Sequence, residues 1–166
     1  MSVIGIGSKL AVLTLIYAIF VFALNYYLRD VFTINLVSSF SFLLVILGIV
    51  LLTIGILFLI PSIIAVNRAY KADYLCEDGI YSLCRHPLYA AWILFIIPGI
   101  VLLFGSWISL SIPLAMYVIF RILIKQEDSY LFNKFGDEYI SYKNRVSLLF
   151  PMFWRYTKHT NSNKKV

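Results

Sequence analysis

Residues 88–124 read LYAAWILFIIPGIVLLFGSWISLSIPLAMYVIFRILI, and Arg121 is the only charged side chain among them. A transmembrane helix needs about 20 apolar residues, so this stretch is too long for one crossing. Gly105-Ser106 divides it near the middle, where the chain can reverse. The stretch therefore predicts a tight helical hairpin of two spans. Two further apolar segments precede it, about Leu10–Leu28 and about Val37–Val66. The second is longer than a perpendicular crossing needs, and tilt or a kink at Pro61 absorbs the excess.

The composition agrees with this reading. Apolar residues make up 61% of the 166 and charged residues 13%, whereas soluble domains carry about 25% charged residues. Soluble, disordered, collagenous and disulfide-stapled classes are excluded on these figures. A membrane β-barrel is disfavoured because the apolar runs are continuous rather than alternating. The expected fold is all-α: an integral membrane bundle of four transmembrane helices, with a C-terminal helical hairpin and short cytosolic helices. The first segment lacks an A-x-A-like site after its core and is read as a retained helix rather than a signal peptide.

The charges set the expected topology. With four spans, one side holds Lys9, Arg68, Lys71, Arg85, Arg121, Lys125, Lys134, Lys143, Arg145, Arg155, Lys158, Lys164 and Lys165, and the other holds Arg29 alone. That asymmetry places both termini in the cytoplasm. It also assigns the net charge of +6 to the membrane surface, so no nucleic-acid partner is expected. Cys76 and Cys84 fall in the expected cytosolic loop and form no CxxC pair, so they are read as reduced thiols. No carboxylate or histidine lies at mid-membrane, which argues against a proton-coupled transporter or pump and directs attention to the cytosolic interface.

Two pieces at that interface can carry chemistry. The first is Cys76-Glu77-Asp78-Gly79-Ile80-Tyr81-Ser82-Leu83-Cys84-Arg85-His86-Pro87-Leu88-Tyr89. Asp78-Gly79 is a turn signal. Pro87 suits the first position of the third span and pushes His86 toward an extended conformation, where an N-cap sits. The free N–H groups of that helix end favour an anion. Alone, Arg85 and His86 read more simply as an interfacial anchor and a helix cap. The second piece runs from Lys125 through Glu127-Asp128 to Tyr142, pausing at Gly136 before a short amphipathic helix. Alone, Glu127 and Asp128 read as a solvated helix end paired to Arg121 or Lys125. Zinc is disfavoured because Cys76, Cys84 and His86 follow no usual ligand spacing. Haem is disfavoured because the only histidines are His86 and His159, the latter in a basic tail.

Combined, the pieces are far more specific. Gly79-x-Tyr81-x-x-x-Arg85-His86-Pro87-x-Tyr89, a hairpin, then Glu127-Asp128-x-x-Leu131-x-x-x-Phe135-Gly136-x-Glu138-Tyr139-x-x-Tyr142 resembles the isoprenylcysteine carboxyl methyltransferase and phospholipid methyltransferase superfamily. The resemblance covers about Ala69–Pro151. It implies that this half encloses S-adenosylmethionine and that a lipid or prenylated acceptor arrives laterally from the bilayer. It implies cofactor contacts from Tyr81, Arg85, His86, Tyr89, Glu127 and Asp128, with His86 and Glu127 as the catalytic pair and no metal. Glu138 and Tyr142 match as well, as pocket supports. Three positions depart from the pattern: Ala91 replaces the usual glycine, the acidic pair is Glu-Asp rather than Glu-Glu, and no proline follows Val146.

The residues suit that chemistry. Arg85 and His86 can meet the cofactor carboxylate, Glu127 its ammonium or ribose hydroxyls, and Tyr89 or Tyr130 its sulfonium. An ionised carboxylate acceptor needs alignment but no base; an amine would need His86 or Glu127 to take its proton. Carboxylate O-methylation is therefore favoured over amine N-methylation. The expected organisation is 1–66, two N-terminal spans; 67–151, the catalytic and cofactor-binding half; and 152–166, a basic flexible tail. His86 and Glu127 are read as ligand contacts rather than as groups that hold the bundle together. Two other readings remain: an NADPH-dependent reductase of the sterol-reductase type, and a non-catalytic membrane scaffold.

Overall fold

The structure is a computed structural model that describes residues 4–28, 41–104 and 106–151. Four helices long and apolar enough to cross a membrane dominate it, and no strand occurs among the described residues. They are α1 (Ile4–Tyr27), α2 (Ser41–Ala72), α3 (Pro87–Phe104) and α4 (Ser111–Arg145). Single 3-10 turns at Gly79–Ser82 and Ile108–Leu110 lie in the connections. This is an integral membrane helical bundle, and its large apolar side chains face outward along α1 and α2, as a lipid-facing surface requires.

The expected spans reappear with shifted ends. α1 begins at Ile4 rather than Leu10. α2 continues to Ala72, past the polar residues Asn67, Arg68 and Lys71, because a formed helix extends beyond its apolar stretch at little cost. Pro61 does not break α2. Ser62 Oγ donates to the Phe58 carbonyl at 2.5 Å, supplying a bond beside the missing N–H. The hairpin divides where expected, between Phe104 and Ile108. Arg29, the start of the second expected span and the tail 152–166 lie outside the described residues.

The helices pack as two pairs that share one core. α2 lies along α3, and α1 along α4. A Cβ on Gly99 would stand 2.9 Å from the Gly48 carbonyl oxygen, so α2 and α3 approach at backbone distance there, a familiar device where lipid gives no hydrophobic drive to association. Ile6 and Leu10 of α1 join Tyr89, Ala90 and Ile93 of α3 and Met116, Phe120 and Ile124 of α4 in one buried cluster. The first span thus walls the same core that carries the RHP segment.

Beyond this core the chain folds back. Gly136 adopts φ 54°, ψ −126°, breaking α4 and starting a return helix. Leu75 packs with Tyr139 and Tyr142 of that helix, and Tyr142 donates to the Tyr81 carbonyl at 2.7 Å. The following segment accepts two backbone bonds, Arg85 N–H to the Ser147 oxygen (2.8 Å) and His86 N–H to the Leu148 oxygen (3.2 Å). The segment before α3 is therefore held by the chain after α4.

Candidate active site

The N-terminus of α3 and the exit of α4 meet at one end of the bundle, because the hairpin begins and ends there. His86 occupies the N-cap position of α3, with φ −127° and ψ 62°, but its side chain caps nothing. The ring turns instead to α4. Nδ1 lies 3.6 Å from Glu127 Oε1 and Nε2 3.7 Å from Asp128 Oδ1. Phe120 meets it edge-on, and Tyr89 packs at 5.9 Å between centroids.

The two carboxylates divide the remaining partners. Glu127 Oε2 accepts the Tyr89 hydroxyl at 3.1 Å. Asp128 Oδ1 receives Arg85 Nη1 at 3.3 Å and the Tyr139 hydroxyl, which itself accepts from Arg85 at 3.2 Å. Asp128 Oδ2 receives Lys143 Nζ at 2.9 Å. The pairing of Glu127 or Asp128 with Arg121 or Lys125, the simpler reading of the sequence, is not what forms. The sequence reads neither side chain as holding the bundle together, yet His86 is 5% exposed and Glu127 8% and they face each other at 3.6 Å between α3 and α4, so removing one alone would leave the other buried without it.

Burial disfavours the charged form of the histidine, yet the Asp128 and Glu127 carboxylates that face it outweigh burial and raise its pKa above the usual imidazole value. Arg85 Nε and His86 Nε2 are buried without a hydrogen-bond partner. Such donors are costly unless something accepts from them. Cys84 is fully buried in the core, and burial pushes its thiol up to about 12, which leaves it inert. Among the described residues no three His, Cys, Asp or Glu side chains could hold a metal ion.

Of the six cofactor positions expected from sequence, the structure gathers Arg85, His86, Tyr89, Glu127 and Asp128 into one cluster. Tyr81 is buried beneath the return helix and supports the cluster through its carbonyl. Glu138 and Tyr130 are exposed. Tyr139 and Lys143 are the residues that sequence reasoning missed. Their signal was the spacing of Tyr139 and Tyr142 along a short amphipathic helix, which could have placed Tyr139 on its buried face. An open groove of about 360 Å³ lies between the α4 exit and the return helix, with Lys125, Asp128, Phe132, Tyr139 and Lys143 in its lining.

Residues 36–133 match the isoprenylcysteine carboxyl methyltransferase family. The chain belongs to that family. The match takes in all of α2 as well as the hairpin, more than the sequence motifs covered at that end. It stops before Gly136, so the return helix is outside it. Among curated relatives, the protein-S-isoprenylcysteine O-methyltransferase of Schizosaccharomyces pombe is 33% identical over 92 residues, 55% of this chain and 39% of that protein. The mouse (Mus musculus) protein of the same name is 33% identical over 88 residues, 52% of this chain and 31% of its own. The cobalt-zinc-cadmium resistance protein CzcN of Cupriavidus metallidurans is 32% identical over 114 residues, 64% of this chain and 51% of its own. The chain thus spans about a third of the length of the first two. No solved structure matches at a significant level.

Proposed function

We propose that this family member is an S-adenosylmethionine-dependent membrane methyltransferase acting on the carboxylate of a prenylated or other lipid acceptor. The observation that carries the reading is the Arg85–His86–Glu127–Asp128 cluster, with His86 and Glu127 buried, at the mouth of the hairpin and inside the segment matched to the family. The names of the methyltransferase relatives supply the acceptor class.

The residues fit the cofactor. Two buried donors of the cluster, Arg85 Nε and His86 Nε2, lack partners, and an open groove of about 360 Å³ adjoins the cluster at Asp128 and Tyr139. The cluster also offers both cations and carboxylates to an amino acid and a ribose. Arg85, His86, Tyr89, Glu127 and Asp128 would hold the group, with Tyr81 behind them. When bound, S-adenosylmethionine supplies a methyl group already activated on a sulfonium.

What the chain adds is position. Tyr89 and His86 fix Glu127 from two sides, and Phe120 fixes the imidazole, so the cluster is preorganised. Two carboxylates face the His86 imidazole and favour its protonated form, which makes it a poorer base. Glu127 is occupied by the Tyr89 hydroxyl and the imidazole. A site without a free base suits an ionised carboxylate, which needs none, better than an amine. This arrangement supports O-methylation.

In this reading residues 67–151 carry the site, residues 1–66 supply its inner wall, and the site end faces the cytoplasm. Calorimetric titration of the detergent-purified chain should show binding of S-adenosylhomocysteine and none of NADPH. The reverse selects the reductase, and binding of neither selects the scaffold. For the orientation, an impermeant thiol reagent added outside intact cells should label a cysteine placed at Ser106 and spare one at Asn133. The opposite pattern inverts the topology and moves the site to the other face.

A further inference from the structure

The molecular surface beside Asp128 suggests how the ligand's charged end is seated, an inference that rests on the methyltransferase reading. We propose that Lys143 and Asp128 form the seat for the α-amino-acid end of the cofactor, whose zwitterion inserts into the ion pair these two residues make with each other.

Three observations converge on it. Asp128 presents two faces. Its Oδ1 is turned to Arg85, His86 and Tyr139, while its Oδ2 meets Lys143. Lys143 and Asp128 both line the groove of about 360 Å³, with Lys125 on the same lining. The Lys143 side chain is 46% exposed against 17% for Asp128. An exposed lysine–carboxylate pair is weak and its long side chain adaptable, so the pair can open to admit a ligand.

An inserted amino acid turns one ion pair into an alternating row of four charges. Asp128 takes the ligand ammonium and Lys143 takes its carboxylate. Arg85 and His86, which the sequence assigned to that carboxylate, face the other oxygen of Asp128, so they hold Asp128 in place with their remaining donors left for the rest of the cofactor, and the groove lysine meets the anion. Lys143 lies beyond the segment matched to the family, so this contact belongs to the return helix of this chain.

The test compares S-adenosylhomocysteine with its decarboxylated counterpart, titrated against the full chain in detergent. The unaltered protein should prefer the intact ligand by about tenfold, the scale of one charge-assisted bond at a half-exposed site. Lys143→Met should weaken the intact ligand by about tenfold and leave the decarboxylated one within about twofold. Lys143→Arg should restore most of the preference. An equal loss on both ligands makes Lys143 merely structural and overturns the inference, as does no loss on either. Equal affinity of the unaltered protein for both ligands overturns the inference alone. Binding of neither ligand removes the methyltransferase reading and this inference with it.

Discussion

Glu127→Ala is expected to lower thermal stability and cofactor affinity together, and to do so more than any other single truncation in the cluster. The side chain is 8% exposed and holds two partners, the His86 imidazole and the Tyr89 hydroxyl. Removing it leaves the imidazole facing one carboxylate instead of two and the buried Tyr89 hydroxyl without its acceptor. Breaking a buried ion pair from one side costs about 3–5 kcal/mol, and the lower end applies here because Asp128 still faces the same imidazole. Glu127→Gln separates the two effects. The amide keeps an acceptor for Tyr89 and fills the same volume, so most of the stability should return. The charge does not return, and S-adenosylhomocysteine should still bind about tenfold or more weakly. The double variant His86→Ala/Glu127→Ala should lose less than the sum of the singles, with a coupling of about 1–3 kcal/mol. Thermal unfolding in detergent reads the stabilities and calorimetry the affinities. Strictly additive losses would show that the two side chains do not hold each other.

The loss of affinity follows from the sequence, which makes Glu127 a ligand contact; the loss of stability does not. The hairpin was legible because bilayer thickness caps the length of a span, and the meeting of His86 with Glu127 followed from it: a hairpin that leaves and returns on one side brings its ends together. Gly136 was legible as a pause. Burial was not. A polar motif at a membrane interface reads as solvated, and only the tertiary fold shows that Ile6, Leu10 and Phe120 close over it. The N-cap position of His86 was also legible, but not that its ring would forgo capping for two carboxylates on another helix. Helix ends were misjudged at α1 and α2 for a related reason, since the apolar stretch marks the lipid and not the helix. The partners of Asp128 were the least accessible. Tyr139 and Lys143 follow it by 11 and 15 positions, and they reach back only because the chain turns at Gly136 through an angle no propensity specifies.

Gly136→Val tests how much of the site depends on that turn. Gly136 sits at φ 54°, ψ −126°, a region closed to residues with a Cβ. Nothing lies within 4 Å of where its Cβ would be, so the cost is one of backbone conformation and not of collision. Holding a non-glycine residue there costs about 1–3 kcal/mol. Alanine should already incur most of this, whereas a collision would make the loss grow steeply from alanine to valine. The chain can also escape by changing the turn, and then the site suffers. The return helix carries Tyr139 and Lys143 to Asp128, and the segment after it carries the carbonyls of Ser147 and Leu148 to the N–H groups of Arg85 and His86. Either route predicts a lower melting temperature, and the second adds weaker binding of S-adenosylhomocysteine by about tenfold, from the loss of a charge-assisted contact. Asp137→Ala, at an exposed neighbour within the return helix, should change neither measurement. A Gly136→Val protein that melts and binds like the unaltered chain would mean that the return helix finds its place without the glycine, and that its packing through Tyr139 and Tyr142 on Leu75 is sufficient to direct it.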